Sequence, residues 1–139
     1  MTPKIMIVDD DQNFRRSLQQ LLEDEGLDVI WAEDGFQAIQ KASENQIDLI
    51  LMDIFMRGMN GVEAFSRIKK ILPGCTVVMM TGFALEDLIQ NALLEGAKAC
   101  LIKPISIQQI LEIVDEVAPQ VDRRGTLEIM RSGRFRIRP

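Results

Sequence analysis

Histidine is absent from all 139 residues. Its absence excludes Ser-His-Asp and Cys-His catalysis, histidine-ligated metals and any role as a phosphohistidine carrier. Chemistry here must come from carboxylates, hydroxyls, lysine or a bound metal. Cysteine is scarce: only Cys75 and Cys100 occur, within or beside predicted strands and without CxxC or metal-ligand spacing. Reduced, buried thiols are expected rather than a disulfide. No apolar run approaches the ~20 residues that cross a bilayer. Met1-Thr2-Pro3-Lys4 leads straight into a predicted strand with no room for a signal peptide, so a cytoplasmic protein without a membrane span is expected. Internal repeats are also missing.

What is present is ordinary in amount: 47% hydrophobic and 27% charged residues, which suits one soluble domain with a substantial core. The charge is unevenly placed. Six arginines (Arg123, Arg124, Arg131, Arg134, Arg136, Arg138) against Asp122 and Glu128 give residues 120–139 a formal +4, leaving −9 on residues 1–119 of a total of −5. An acidic body argues against direct nucleic-acid contact by that body. The expected division is therefore a folded domain over 1–119 and a basic tail or linker over 120–139, too short to fold alone. Phe135 and Ile137 lie among its arginines, but a solvated end is the favoured reading.

Short apolar runs lead into polar residues at matching places. Ile5-Met6-Ile7-Val8 runs into Asp9-Asp10, and Leu49-Ile50-Leu51-Met52 into Asp53. Val77-Val78-Met79-Met80 runs into Thr81, and Cys100-Leu101-Ile102 into Lys103-Pro104. Asp28-Val29-Ile30-Trp31-Ala32 reads as a further strand. Helical periodicity fills the gaps: Phe14, Leu18, Leu21 and Leu22; Phe36, Ala38, Ile39 and Ala42; Val62, Phe65, Ile68 and Leu72; Leu85, Leu88, Ile89, Ala92 and Leu93; Ile107, Ile110, Leu111, Val114 and Val117. Gly26, Pro73-Gly74, Gly96 and Pro119 supply stops. The alternation predicts an α/β fold: a five-stranded parallel sheet in the order 2-1-3-4-5, doubly wound with helices on both faces. Ligands bind such sheets outside the carboxyl ends, at the switch point between strands 1 and 3. Asp9, Asp10 and Asp53 fall there.

Three carboxylates in one crevice repel, and without a cation at least one has its pKa raised. Oxygen ligands in this number, partly open to water, suit Mg²⁺. Lys103 adds a second positive charge, and the Thr81 hydroxyl and nearby N–H groups add hydrogen bonds. Phosphoryl transfer needs little beyond positioning and charge stabilisation, and a carboxylate can serve as the nucleophile. Asp11 is better read as an N-cap for the first helix. Met52, Met56, Met59, Met79 and Met80 are core filler rather than a soft-metal site.

Over residues 3–118 the chain resembles the receiver domain of bacterial two-component response regulators, which has a flavodoxin-like fold. The matching motifs are Ile7-Val8-Asp9-Asp10-Asp11, Asp53-Ile54-Phe55-Met56 through Asn60-Gly61, Thr81-Gly82, and Lys103-Pro104. The resemblance implies that Asp53 accepts a phosphoryl group from a sensor histidine kinase or phosphotransfer protein. It implies Mg²⁺ bound by Asp9, Asp10, Asp53 and the Phe55 backbone carbonyl. It also implies that Lys103 pairs with Asp53 and later the phosphate, that Thr81 turns inward and drags Gly82 and Phe83 with it, and that the Lys103–Pro104 peptide is cis. Signal would pass to a downstream protein or a C-terminal output domain, with a homodimer through helix 4, strand 5 and helix 5. Chemistry would be limited to self-phosphorylation and slow self-dephosphorylation, so the protein is a switch rather than an enzyme.

The chain departs from that family in three places. Cys100 stands where receivers carry Tyr or Phe, which argues against the usual aromatic swing and for output through the loop after Thr81. Arg57 replaces the proline of Asp-x-x-Met-Pro, a change expected to loosen the loop. Phe55 and Phe83 border the water path to an acyl phosphate, and slow phosphate loss is expected. Two rival classes remain. An aspartyl-nucleophile phosphatase of the haloacid-dehalogenase type needs an acid where Phe55 stands, and a binding module without phosphorylation has no need of the intact acidic set.

Overall fold

The computed structural model describes residues 2–117; Met1 and everything from residue 118 on, including Pro119 and the Arg-rich 120–139 segment, lie outside the described residues. The elements run β1 (Lys4–Val8), α1 (Gln12–Asp24), β2 (Asp28–Ala32), α2 (Gly35–Glu44), β3 (Leu49–Asp53), α3 (Gly61–Ile71), β4 (Thr76–Thr81), α4 (Glu86–Leu94), β5 (Ala99–Ile102) and α5 (Ile107–Val117). All pairs are parallel, and the sheet order is β2-β1-β3-β4-β5. Topology and element order match the expectation. Among the described residues no helix is long and apolar enough to cross a membrane.

The continuous apolar runs become strands because both of their faces are covered. Alternate residues feed two separate cores. Ile5, Ile7, Leu49, Leu51, Val78 and Met80 pack with Leu18 and Leu22 of α1 and Ile110, Leu111 and Val114 of α5. Met6, Val8, Ile50, Met52, Val77 and Met79 pack with Ala38 and Ala42 of α2, Phe65 and Ile68 of α3 and Ala92 of α4. Successive strand side chains point to opposite faces, so each run serves both layers.

Local chemistry sets the helix ends. Asp11 caps α1 by accepting the N–H groups of Asn13 and Phe14, and Asp34 and Asn60 cap α2 and α3 in the same way. Gly26 ends α1 at φ +84°, a left-handed turn that a side chain would strain. Helix α4 has no side-chain cap: its N-cap position is Leu85.

Three helical stripes differ from the periodicity. Leu21 is 47% exposed, and Arg15 at 5% takes its place in the buried face of α1 with Leu18 and Leu22. The spacing 15, 18, 22 is itself one helical face, and the Arg stem serves as its apolar part. Phe36 is 61% exposed because α2 turns its alanines, not its aromatic, toward the sheet. In α4 only Ala92 is buried, while Leu85 and Leu93 face outward; a short helix over a small-residue contact covers little of the sheet.

Candidate functional site

Asp9 follows β1 directly, Asp53 closes β3, Thr81 closes β4, and Lys103 follows β5. All four therefore stand at the carboxyl ends of neighbouring strands, at the reversal of strand order beside β1. Strand alternation then sorts them. Asp9 continues the Ile5–Ile7 row, Asp53 the Leu49–Leu51 row and Lys103 the Ala99–Leu101 row, all on the α1/α5 face. Thr81 continues the Val77–Met79 row on the other face.

The ion pairs follow that sorting. The Lys103 ammonium donates to Asp9 Oδ2 at 2.7 Å and to Asp53 Oδ2 at 3.2 Å, and lies 4.0 Å from the Phe14 ring centroid. Asp9 Oδ1 accepts the Asp11 N–H at 2.9 Å, and Asp53 Oδ1 accepts the Phe55 N–H at 3.1 Å. Asp10 is drawn to the same place by the Arg57 N–H, which donates to its Oδ2 at 3.1 Å. Asp9, Asp10 and Asp53 each offer a carboxylate oxygen, all within 4.8 Å of one another. Octahedral ligands ~2.1 Å from one Mg²⁺ lie about 3.0 Å apart when adjacent and about 4.2 Å when opposite, so the three oxygens would have to draw together on a hard divalent cation.

Electrostatics bear the strain of this arrangement. Burial raises the Asp53 pKa above its ordinary value; Lys103 opposes that, and the neighbouring charge of Asp9 adds to it. Burial alone would lower the Lys103 pKa. Its hydrogen bond to Asp9 and the charges of Asp53 and Asp9 outweigh that, and the net shift is upward, so the ammonium stays charged.

Each expected site residue is accounted for. Thr81 is fully buried on the rim, but its hydroxyl donates to the Phe83 carbonyl and accepts the Phe83 N–H, both at 2.9 Å, rather than reaching the carboxylates. Gly82 stands exposed in that loop with open space around it. The Lys103–Pro104 peptide is cis, as expected. Phe55 and Phe83 meet edge-to-face, centroids 5.4 Å apart at 85°. Cys100 is half-buried against the α2/α3/α4 core, and burial pushes its thiol pKa up; Cys75 is pushed up to about 12. Both are free thiols. Raised thiol pKa values fit inert packing.

Arg57, where the family pattern has proline, supplies an N–H that a proline lacks, and Asp10 accepts it. The Arg57 Nε also lies 3.6 Å from Asp10 Oδ2. Periodicity missed two further residues. Phe14 was assigned only to packing, yet its ring lies against Lys103. Arg15 lies outside every apolar stripe, and its guanidinium donates to the Asp9 carbonyl at 2.8 Å.

Carboxylates, a lysine and a threonine thus share one carboxyl-end rim of a parallel α/β sheet. The family model of the response regulator receiver domain matches residues 5–115. The chain is 34% identical over 119 residues to sporulation initiation phosphotransferase F of Bacillus subtilis, covering 86% of this chain and 96% of that protein. It is 32% identical over 117 residues to the chemotaxis protein CheY of the same organism, covering 84% and 98%. The solved CheX–CheY–BeF₃–Mg²⁺ complex of Borrelia burgdorferi matches with a TM-score of 0.76 at 30% identity, covering 83% of this chain and 88% of that one. The chain belongs to the response regulator receiver domain family of two-component systems.

Proposed function

We propose that this receiver takes a phosphoryl group on Asp53 with Mg²⁺ and signals by the change in conformation that follows. One observation carries the reading: a single ammonium, Lys103, bonded at once to Asp9 and Asp53 within a trio of carboxylates. In the transfer, an Asp53 oxygen attacks phosphorus and the bond from phosphorus to the donor's imidazole nitrogen breaks. With the donor ring protonated at its other nitrogen, the electron pair stays on the nitrogen that loses phosphorus, leaving an acyl phosphate on Asp53 and a neutral imidazole on the kinase or phosphotransfer partner. Asp9, Asp10, Asp53 and the Phe55 carbonyl would hold Mg²⁺, which when bound offsets carboxylate repulsion and neutralises phosphoryl oxygens. The Mg²⁺ and BeF₃ of the Borrelia CheY complex support that role.

Lys103 then exchanges its Asp53 contact for the phosphoryl group. Thr81 leaves its bonds to Phe83 and turns to the phosphate, so the loop carrying Gly82 and Phe83 moves toward α4. Cys100 cannot sweep an aromatic's volume, which leaves that loop, with Pro104 beside it, as the output path. Exposed Leu85 at the N-cap of α4, Leu93 and Leu94 of α4 and Ile102 of β5 offer an apolar face for a downstream protein, an output domain or a second receiver. Residues 1–119 form the receiver in this reading, working in the cytoplasm, and 120–139 a basic tail or linker. Turnover is confined to self-phosphorylation and slow self-dephosphorylation.

Incubation with Mg²⁺ and acetyl phosphate tests the proposal. Uptake of one acid-stable, alkali-labile phosphate, lost in Asp53→Asn, is expected. Sustained hydrolysis of phosphoesters would favour the phosphatase, and no incorporation would favour a binding-only module.

A further inference from the structure

Arg15 is 95% enclosed, being only 5% exposed, although it carries a full charge. Among the described residues it forms no ion pair. Two contacts hold it instead. Nη1 donates to the backbone carbonyl of Asp9 at 2.8 Å, and the guanidinium carbon stands 4.3 Å from the centroid of Trp31, the chain's only tryptophan. Trp31 is fixed in turn: the Lys41 ammonium lies 4.6 Å from the same ring and bonds to the Trp31 carbonyl. A buried guanidinium persists only where something offsets its lost hydration. Here the ring and a carbonyl do so, one peptide away from three carboxylates.

We infer that Arg15 is a positioning residue for the Asp9 carboxylate. Asp9 sits past the last paired residue of β1, where only its N–H side is still tied to β2. Its N–H donates to the Ala32 carbonyl at 3.2 Å, its carbonyl accepts Arg15, and its two carboxylate oxygens accept Asp11 and Lys103. Arg15 is the contact that pins the peptide on its carbonyl side, so it sets the direction in which the carboxylate leaves the backbone. Helix α1 supplies this clamp because Asp11 caps it: the Arg15 N–H donates to the Asp11 carbonyl at 3.0 Å, which turns the side chain back toward the loop. Planarity matters. A guanidinium donates within its own plane while its flat face meets the indole, a geometry fixed by the fork; a lysine keeps the charge and a donor but not that fixed geometry.

The inference rests on the reading of Asp9 as a metal ligand, and its sign separates it from plain electrostatics. A cation this close to a metal site repels the metal, so Coulomb's law alone predicts tighter Mg²⁺ binding once Arg15 is neutralised. Positioning predicts the opposite. Mg²⁺ affinity is measured by titration calorimetry on the full chain, well below its melting temperature, for wild type, Arg15→Met, Arg15→Lys and Trp31→Leu. Arg15→Met and Arg15→Lys are each expected to weaken binding about tenfold, as losing a partner that orients a metal ligand does, and Trp31→Leu less. Melting temperatures without Mg²⁺ are recorded beside them. A role confined to stability would lower these and leave affinity unchanged. Wild-type affinity in Arg15→Lys, or equal or tighter binding in Arg15→Met, overturns the inference. If Arg15→Met does not fold, Arg15→Lys decides alone, and wild-type affinity in it overturns the inference. Absence of any Mg²⁺ binding by the wild type defeats the reading of the site itself, and the inference with it.

Discussion

Replacing Gly61 with alanine strikes the site from behind. Gly61 opens α3 against the end of β3, and a Cβ there would stand 2.2 Å from the Asp53 carbonyl oxygen and 2.9 Å from the Met79 methyl. Ordinary contact begins at 3.4 Å, so helix and strand must separate by more than an ångström. The Met79 methyl can swing away; the Asp53 peptide cannot move alone. The separation also stretches the bond from the Gly61 N–H to the Ile54 carbonyl, now 2.8 Å. Overpacking costs about 1–3 kcal/mol and the lost bond about 1 kcal/mol, so a loss of roughly 2–4 kcal/mol is expected. At about 4 °C per kcal/mol for a chain of this size, the melting temperature should fall by roughly 8–16 °C. Gly74, with nothing within 4 Å of its Cβ position, is the control, and Gly74→Ala should stay within about 0.5 kcal/mol of wild type. Because the displaced peptide belongs to Asp53, Gly61→Ala should also bind Mg²⁺ more weakly under conditions where it remains folded. A melt within about 2 °C of wild type would refute the steric argument, since less than ~1 kcal/mol would then have been lost. Wild-type Mg²⁺ affinity in a destabilised Gly61→Ala would refute the link from α3 to the carboxylate.

Further outcomes follow from the charges and the rings. Asp53 titrates above its unfolded value of 3.8 in the metal-free fold, so between 3.8 and its folded pKa the native state binds the more protons and stability falls as pH rises. Metal-free Asp53→Asn should therefore melt higher than wild type at neutral pH, with the gain vanishing as pH falls below 3.8; an unchanged difference across that range contradicts the assignment. Lys103→Met leaves the fully buried Asp9 without its cation and should cost about 3 kcal/mol in urea unfolding, and a loss under ~1 kcal/mol would contradict the ion pair's role. Replacing Phe55 and Phe83 together with polar residues should speed phosphate loss several-fold, followed by phosphate release; an unchanged rate means that the rings do not hinder water.

Strand positions were legible because burial on both faces leaves continuous Val/Ile/Leu/Met runs, and a parallel sheet fixes where each run delivers its next residue. Asp9, Asp53 and Lys103 converge for that reason alone. Helix faces were less legible. The apolar count put Leu21 rather than Arg15 on a buried face and set Phe36 beside its alanine neighbours, since periodicity weighs side-chain type and not what a stem or a backbone can reach. Arg15 carries its charge to a carbonyl on the adjoining loop, a contact that hydrophobic spacing does not encode. Thr81 illustrates a different gap: its position on the rim follows from the strand, but the partner of its hydroxyl is chosen by the loop, here Phe83.

The most direct measurement is to locate the phosphate. After reaction with acetyl phosphate and Mg²⁺, borohydride reduction converts an aspartyl phosphate to homoserine, and peptide mass spectrometry reads its position. Homoserine at position 53, dependent on Mg²⁺ and absent after Lys103→Met, is the predicted result. Homoserine at another carboxylate, or none at all in a protein that binds Mg²⁺, would contradict the account.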